Sequence, residues 1–168
     1  METFPKNVEI EVHSFKKMYS VFVLILVLSC GPFPKDPDTT LKKITNGTLK
    51  VGYSENIPWV FKTEQGADGL EARIIKDFAF KYNARIEWLN GTEEKLFEKL
   101  ERKEIDIVIA GITSKTPWKK KKIGLTRPYY TVAGKKHVIA VKQGENRFQI
   151  ALEEFLYNLQ KQNGRAMK

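Results

Sequence analysis

Between Thr48 and Leu159 the apolar residues switch repeatedly between a two-residue period and a helical one, and this switching constrains the fold more than any single motif. Leu49 and Val51 alternate within Thr48–Tyr53, a strand pattern. Leu70, Ile74, Ile75, Phe78 and Tyr82 then recur at helical spacing. Arg85–Leu89 reads as a second strand. Thr92 is placed to cap a second helix, with Glu93 and Glu94 facing the positive end of its dipole and Leu96, Phe97 and Leu100 on its buried side. Ile105–Ala110 is a β-branched, buried third strand, and Lys136–Val141 a last one. Phe148, Leu152, Phe155, Leu156 and Leu159 give a final amphipathic helix. Ile57–Gly69, with Pro58, Gly66 and Asp68-Gly69, reads as a loop. Strands alternating with helices imply right-handed crossovers, so residues 47–160 are expected to form an α/β lobe with a mostly parallel sheet flanked by helices. Ligands of such sheets sit beyond the carboxyl ends of the strands. Here those ends are Tyr53–Phe61 and Ala110–Lys119.

The segment before the lobe has a different character. The apolar run Val21–Leu28 has eight residues, against about 20 for a membrane-spanning helix. It follows Lys16 and Lys17 and ends in Ser29-Cys30-Gly31, the layout of a secretory signal. The chain's one cysteine excludes an internal disulfide and any zinc site built on several cysteines. Its position just after the apolar run resembles a bacterial lipoprotein signal, which implies removal of residues 1–29 and acylation of Cys30. The leader holds three basic residues (Lys6, Lys16, Lys17) and three acidic ones (Glu2, Glu9, Glu11), so its removal leaves the net charge at +9. It also removes His13, leaving His137. Residues 30–46, with Pro32, Pro34 and Pro37, read as a semi-extended tether, and 161–168 as a polar tail.

Several stretches of the lobe carry a family resemblance. Val51-Gly-Tyr-Ser-Glu-Asn-Ile-Pro-Trp-Val-Phe61, Gly69–Ala79, and Asp106–Tyr130 with its Ala-Gly, Thr-Pro and Pro-Tyr-Tyr elements resemble the bacterial extracellular solute-binding proteins of family 3, the periplasmic amino-acid-binding type. The resemblance implies a receptor that hands a small solute to an ABC permease. It places an aromatic platform at Trp59, with Tyr53 and Phe61 beside it, and ligand contacts at Gly111 and Thr113. The turn that grips a ligand carboxylate would be Thr116-Pro117-Trp118-Lys119.

Three departures qualify what the resemblance implies. Lys119 stands where the family has arginine, and an ammonium cannot form the bidentate fork a guanidinium makes with carboxylate. Arg73 stands where an acidic residue is usual. A two-lobed member needs about two domain lengths, whereas here Lys136–Val141 follows Pro128-Tyr129-Tyr130 at once, so a single lobe is expected.

Each residue also has a plainer reading. Trp59 is either a ligand platform or a core aromatic. Thr113, Ser114 and Thr116 either donate to a ligand or form a turn. Glu71 either accepts from a ligand amine or caps and pairs near its helix start. Trp118 either joins the site or makes a surface or partner contact. His137 reads as structural or solvated. Lys119–Lys122 is either a solvated face or a docking face for an acidic partner or anionic lipid. Export would keep that face from nucleic acid. One histidine and one lipidated cysteine assemble no Ser-His-Asp, Cys-His or zinc centre, so no enzyme activity, metal or cofactor is expected.

Two functions are therefore carried forward. One is a lipid-anchored solute-binding protein of the cell envelope, taking a small polar or anionic, amino-acid-like ligand for ABC uptake or sensing. Since small-molecule sites usually bury 70–90% of their ligand, a homodimer or a partner would complete the enclosure. The other is an interaction lipoprotein that uses its basic face on a permease, sensor or envelope component.

Overall fold

The period-two alternation of the third strand organises the whole lobe. Ile107 and Ile109 point to one face of a five-stranded sheet, Val108 and Ala110 to the other, and all four are buried. In the computed structural model, residues 38–166 are described; the leader, Cys30 and the tether up to residue 37 lie outside them, whereas Thr40–Ile44, read as tether, is helical with Thr40 and Ile44 buried. In chain order the elements are α1 (Thr40–Ile44), β1 (Thr48–Tyr53), β2 (Phe61–Thr63), β3 (Gly66–Asp68), α2 (Leu70–Lys81), β4 (Arg85–Asn90) and α3 (Glu93–Glu101). There follow β5 (Ile107–Ile109), a 3-10 turn (Pro117–Lys120), β6 (Ile123–Leu125), β7 (Tyr130–Val132), β8 (Lys135–His137), β9 (Ala140–Lys142) and α4 (Asn146–Ala166).

The main sheet has the order β4-β1-β5-β9-β6. β1 is parallel to both β4 and β5, with Val51 opposite Trp88 on one side and Ile107 on the other. β9 runs antiparallel to β5 and β6. One face packs Leu49, Val51, Ile107 and Val141 against Ile75 and Phe78 of α2 and Phe148 and Leu152 of α4. The opposite face packs Val108 and Ala140 against Leu96, Phe97 and Leu100 of α3. This is a mixed α/β lobe with a mostly parallel sheet flanked by helices, as the alternation of periods predicts.

Several boundaries differ from the sequence reading. The expected loop Ile57–Gly69 contains a small hairpin, with Lys62 opposite Ala67. Its strands have three residues each, too few for alternation to register, and Ala67 is the only one of the six that is buried. The expected strand Lys136–Val141 is divided between two sheets. Residues up to His137 pair with β7, whereas Ala140 onward joins β5 and β6. The β7–β8 connection is two residues, Ala133 (φ 47°) and Gly134 (φ 73°). Positive φ at both central positions is what a type I′ hairpin turn requires. Thr92 sits at the N-cap of α3 in extended conformation, but its side chain makes no capping bond. α4 runs to Ala166, through most of the segment read as a tail. Among the described residues, no helix is long and apolar enough to cross a membrane.

The amino end of the sheet is fastened by polar groups. Asp106, just before β5, pairs with Lys142 of β9 at 2.6 Å and accepts the Lys50 backbone N–H at 2.9 Å. Glu145 accepts the N–H groups of Asp38 and Thr40 at 2.8 and 3.0 Å. It thereby supplies the acceptor that Thr39, at the N-cap of α1, does not.

Candidate functional site

At the carboxyl end of β1 the chain turns tightly from Asn56 to Val60. Asn56 donates its N–H to the Val60 carbonyl at 2.8 Å, and Trp59 donates to the Asn56 carbonyl at 2.7 Å; the Ile57–Pro58 bond is cis. The turn is tied to the start of α2. Gly69, at the N-cap, has no side chain to satisfy the first helical N–H groups. Leu70 instead donates to the Pro58 carbonyl at 3.1 Å, and Glu71 to the Trp59 carbonyl at 2.8 Å. Helix and turn therefore hold each other.

The Trp59 ring is half-buried. It stacks on the imidazole of His137, with ring centroids 3.8 Å apart and planes at 24°, and meets Tyr130 edge-on at 5.9 Å. Gly111, at the carboxyl end of β5, closes against it. Gly111 has φ +65°, and a Cβ there would lie 2.6 Å from Trp59 Cδ1 and 2.7 Å from Asn56 Nδ2. Both the backbone conformation and the space exclude a side chain.

One peptide unit in this corner is held at both ends. The Ala110 carbonyl accepts from Asn56 Nδ2 at 2.8 Å, and the Gly111 N–H donates to Glu71 Oε2 at 2.8 Å. The other carboxylate oxygen of Glu71 accepts the Tyr129 hydroxyl at 2.6 Å. Glu71 is fully buried, and that burial pushes its carboxyl up to about 7, with the bonds from Tyr129 and Gly111 pulling the other way. Burial first, then the neighbouring Glu71 charge, holds the Tyr129 hydroxyl well above the ordinary tyrosine range. His137 is 3% exposed, and neither ring nitrogen reaches a hydrogen-bond partner. Burial first, with the Lys135 charge adding to it, holds its imidazole below the usual histidine range.

The sequence-predicted residues fall into three groups. Trp59, Glu71, Gly111 and Thr113 come together at this end of the sheet; Thr113 is bridged to His137, and Ser114 donates to the Lys136 carbonyl at 2.7 Å. Tyr53, Glu71 and Thr116 are placed inside rather than on the surface. Tyr53 is buried edge-on to Trp88, and its hydroxyl donates to the Gly66 carbonyl at 2.9 Å. The Thr116 hydroxyl accepts the Trp118 N–H at 3.4 Å and caps the 3-10 turn. Phe61 is half-buried in β2, and Lys119 is exposed on the 3-10 turn. Trp118 lies over Phe97, ring planes at 15°, and donates its indole N–H to Glu93 at 2.7 Å.

Sequence reasoning passed over Asn56, Tyr129 and Tyr130 and left His137 as a structural or solvated residue. Asn56 and Tyr129 lie within the quoted motifs, so position was available as a signal. The contact of His137 with Trp59 was not, because it depends on the β7–β8 hairpin. Two surface clefts, of about 490 and 560 Å³, are lined by neither Trp59 nor Gly111, although Tyr129 lines the second. One is beside Asn46 and Arg85 at the amino end of the sheet; the other lies between Arg127 and Tyr157.

Residues 49–167 match the bacterial extracellular solute-binding proteins, family 3. The chain belongs to this family. The Arginine-binding extracellular protein ArtP of Bacillus subtilis is 26% identical over 121 residues, which cover 72% of this chain and 44% of that protein. The Membrane-bound lytic murein transglycosylase F of Photobacterium profundum is 31% identical over 104 residues, 61% of this chain and 20% of the transglycosylase. The chain thus spans less than half the length of these curated relatives. Among solved structures, a phenylalanine-to-tryptophan mutant of domain 1 from TmArgBP, in its arginine-bound form, superposes with a TM-score of 0.65 at 26% identity. The match covers 73% of this chain and 99% of that one. The described residues therefore correspond to a single lobe, with the fold of that isolated domain 1.

Proposed function

We propose that this chain is an extracytoplasmic solute-binding protein, lipid-anchored at Cys30, that takes a small, polar, amino-acid-like ligand at the Trp59–Gly111–Thr113 end of its sheet for ABC-type uptake or sensing. The observation that carries this reading is the likeness to an isolated first domain in an arginine-bound form, nearly all of which is covered. That likeness supports a single lobe as a binding unit without a second to close over it.

The geometry suits such a ligand. Trp59 offers whatever part of its ring His137 leaves open to an apolar or cationic group. Thr113, bridged to His137, brings a hydroxyl-bearing residue to the same end of the sheet. The Lys119 ammonium offsets a ligand carboxylate as a point charge rather than a fork. Calorimetry on the full chain, titrated in turn with L-arginine, L-lysine, L-glutamate and L-glutamine, tests the reading. Saturable heat is expected with at least one of them, weakened about tenfold or more by Trp59→Ala. The absence of heat with all four would remove the solute-binding reading.

A second reading is supported by charge. Lys115, Lys119, Lys120, Lys122, Lys135 and Lys136 are exposed, and none forms an ion pair with another described residue. Such a face fits an acidic permease, sensor or envelope partner. Replacing Lys119–Lys122 by glutamate and measuring recovery of a permease or sensor discriminates; unchanged recovery would discard this version.

A further inference from the structure

Glu71 is costly to bury and contacts three parts of the candidate site at once. Its backbone N–H donates to Trp59; one carboxylate oxygen takes Gly111, and the other takes Tyr129. The strand that follows Tyr129 begins the β7–β8 hairpin, whose ends, Tyr130 and His137, both touch the Trp59 ring. A carboxyl group placed only to fill a core would be replaced by an apolar side chain with little loss. One that accepts two donors from separate segments fixes their relative positions, and ionised it does so through charge-assisted bonds.

We propose that Glu71 is the positioning residue of the solute site: its carboxylate orients the Ala110–Gly111 peptide and, through Tyr129, the β7–β8 hairpin, so that ligand affinity depends on whether Glu71 carries its charge. This rests on the solute-binding reading above. Glu71 does not touch ligand; it acts through Gly111 and Tyr129. When it is ionised, both neighbours must donate to it, which sets the Gly111 peptide and the Tyr129 hydroxyl in one orientation. When it is protonated, its own O–H can donate to the Tyr129 oxygen, which frees the tyrosine proton to turn away. The titratable groups against this cluster are Tyr129 across the bond, His137 beside Gly111 and Trp59, and Lys135 beyond His137. On the outer side of α2, Arg73 and Lys76 pair with Asp68 and face solvent.

The test uses the full chain and two variants, Glu71→Gln and Tyr129→Phe. L-arginine affinity of the wild type is expected to strengthen as pH rises through about 7 and then level off. Glu71→Gln keeps the shape of the side chain, so it should bind about tenfold more weakly at pH 8 and lose that rise. Tyr129→Phe should weaken binding less and keep part of the rise. Comparing wild type with Glu71→Gln separates Glu71 from His137, which both retain.

A second measurement needs no ligand. The Gly111 amide signal in a nitrogen-15 NMR titration should move with a midpoint near 7 in the wild type and stay still in Glu71→Gln. If the wild type binds no amino acid, the solute-binding reading fails, and the amide titration alone decides whether Glu71 positions Gly111. If Glu71→Gln does not fold, the wild-type amide and Tyr129→Phe carry the test. Wild-type affinity and pH profile in Glu71→Gln, or a Gly111 amide indifferent to pH in the wild type, overturns the proposal.

Discussion

The two ends of the sheet use buried polar groups differently. At the amino end, Asp106 and Lys142 meet as opposite charges, and the second carboxylate oxygen of Asp106 takes a backbone N–H. At the carboxyl end, Glu71 is sealed in without a cation, and His137 is buried with neither nitrogen bonded. Exposed apolar side chains do not separate the ends: Ile57 is 78% and Tyr130 52% exposed here, and Phe80, beside Asn46 and Arg85 at the amino end, is 89% exposed. Buried groups left without full compensation lower stability. The Thr40 hydroxyl is a single such group at the amino end, whereas Glu71 and His137 are gathered around Gly111 at the carboxyl end, the pattern of a fold that gives up stability to shape a site.

The largest test of this contrast is at the amino end. Lys142→Met leaves Asp106 buried with one backbone bond and no counter-charge. Removing one partner of a buried pair typically costs about 3–5 kcal/mol. Urea unfolding should show that loss, and the double replacement Asp106→Leu with Lys142→Met should recover much of it. A loss below about 1 kcal/mol would mean that the pair is solvated in practice and that the two ends do not differ in this way.

The next effect is the pH response of the carboxyl end. The folded-state acid constant of Glu71 is raised from 4.5 to about 7. The folded state therefore holds its proton across a window in which the unfolded chain has released it. The resulting stability is fully present below about 4.5 and is lost as pH rises through about 7. The whole swing is of the order of 3 kcal/mol. His137 acts in the opposite sense. Its constant is lowered, so its contribution is present above 6.5 and falls away as pH drops through the folded-state value. The difference between wild type and Glu71→Gln, followed by urea unfolding from pH 4 to 8, isolates the Glu71 part. A difference independent of pH would show that Glu71 titrates normally.

How far this contrast could be read from sequence depends on how local each feature is. Leu49 and Val51 in β1, the α2 face from Ile74 to Phe78, and Ile107–Ile109 were legible because burial on a sheet imposes period two and burial on a helix a longer period. Trp59, Gly111 and Thr113 were legible through motif and topology, since both loops end parallel strands. The partners of Glu71 were not legible, because Gly111 is 40 residues away and Tyr129 58, and no local pattern encodes a meeting at that range. The β7–β8 hairpin was hidden for another reason. Its turn is Ala133-Gly134 rather than Asn-Gly, and the exposed Lys135 and Lys136 interrupt any alternation.

A smaller effect distinguishes Gly111 from the groups around it. In Gly111→Ala the new methyl must enter space held by Trp59 Cδ1 and Asn56 Nδ2, at a φ of +65°. Strain of this kind costs about 1–3 kcal/mol. The loss should appear as weakened ligand binding at least as strongly as in melting temperature, because Trp59 is what has to move. Equal binding with a large stability loss would place the ligand away from Trp59.

The smallest effect belongs to the 3-10 turn that carries Lys119. Trp118 fixes this turn to α3 twice, by its ring over Phe97 and by its indole N–H to Glu93. Trp118→Phe keeps an aromatic ring in place and removes only the hydrogen bond, so a loss of about 1 kcal/mol is expected in urea unfolding. If the turn serves only to place a charge near the ligand, affinity for an amino acid should change less than twofold, since an exposed lysine on a flexible stem tolerates small shifts of its backbone. A larger drop in affinity than in stability would mean that the Lys119 ammonium needs its position held. Ligand binding would then depend on two fixed groups, Gly111 at the end of β5 and Lys119 on the 3-10 turn.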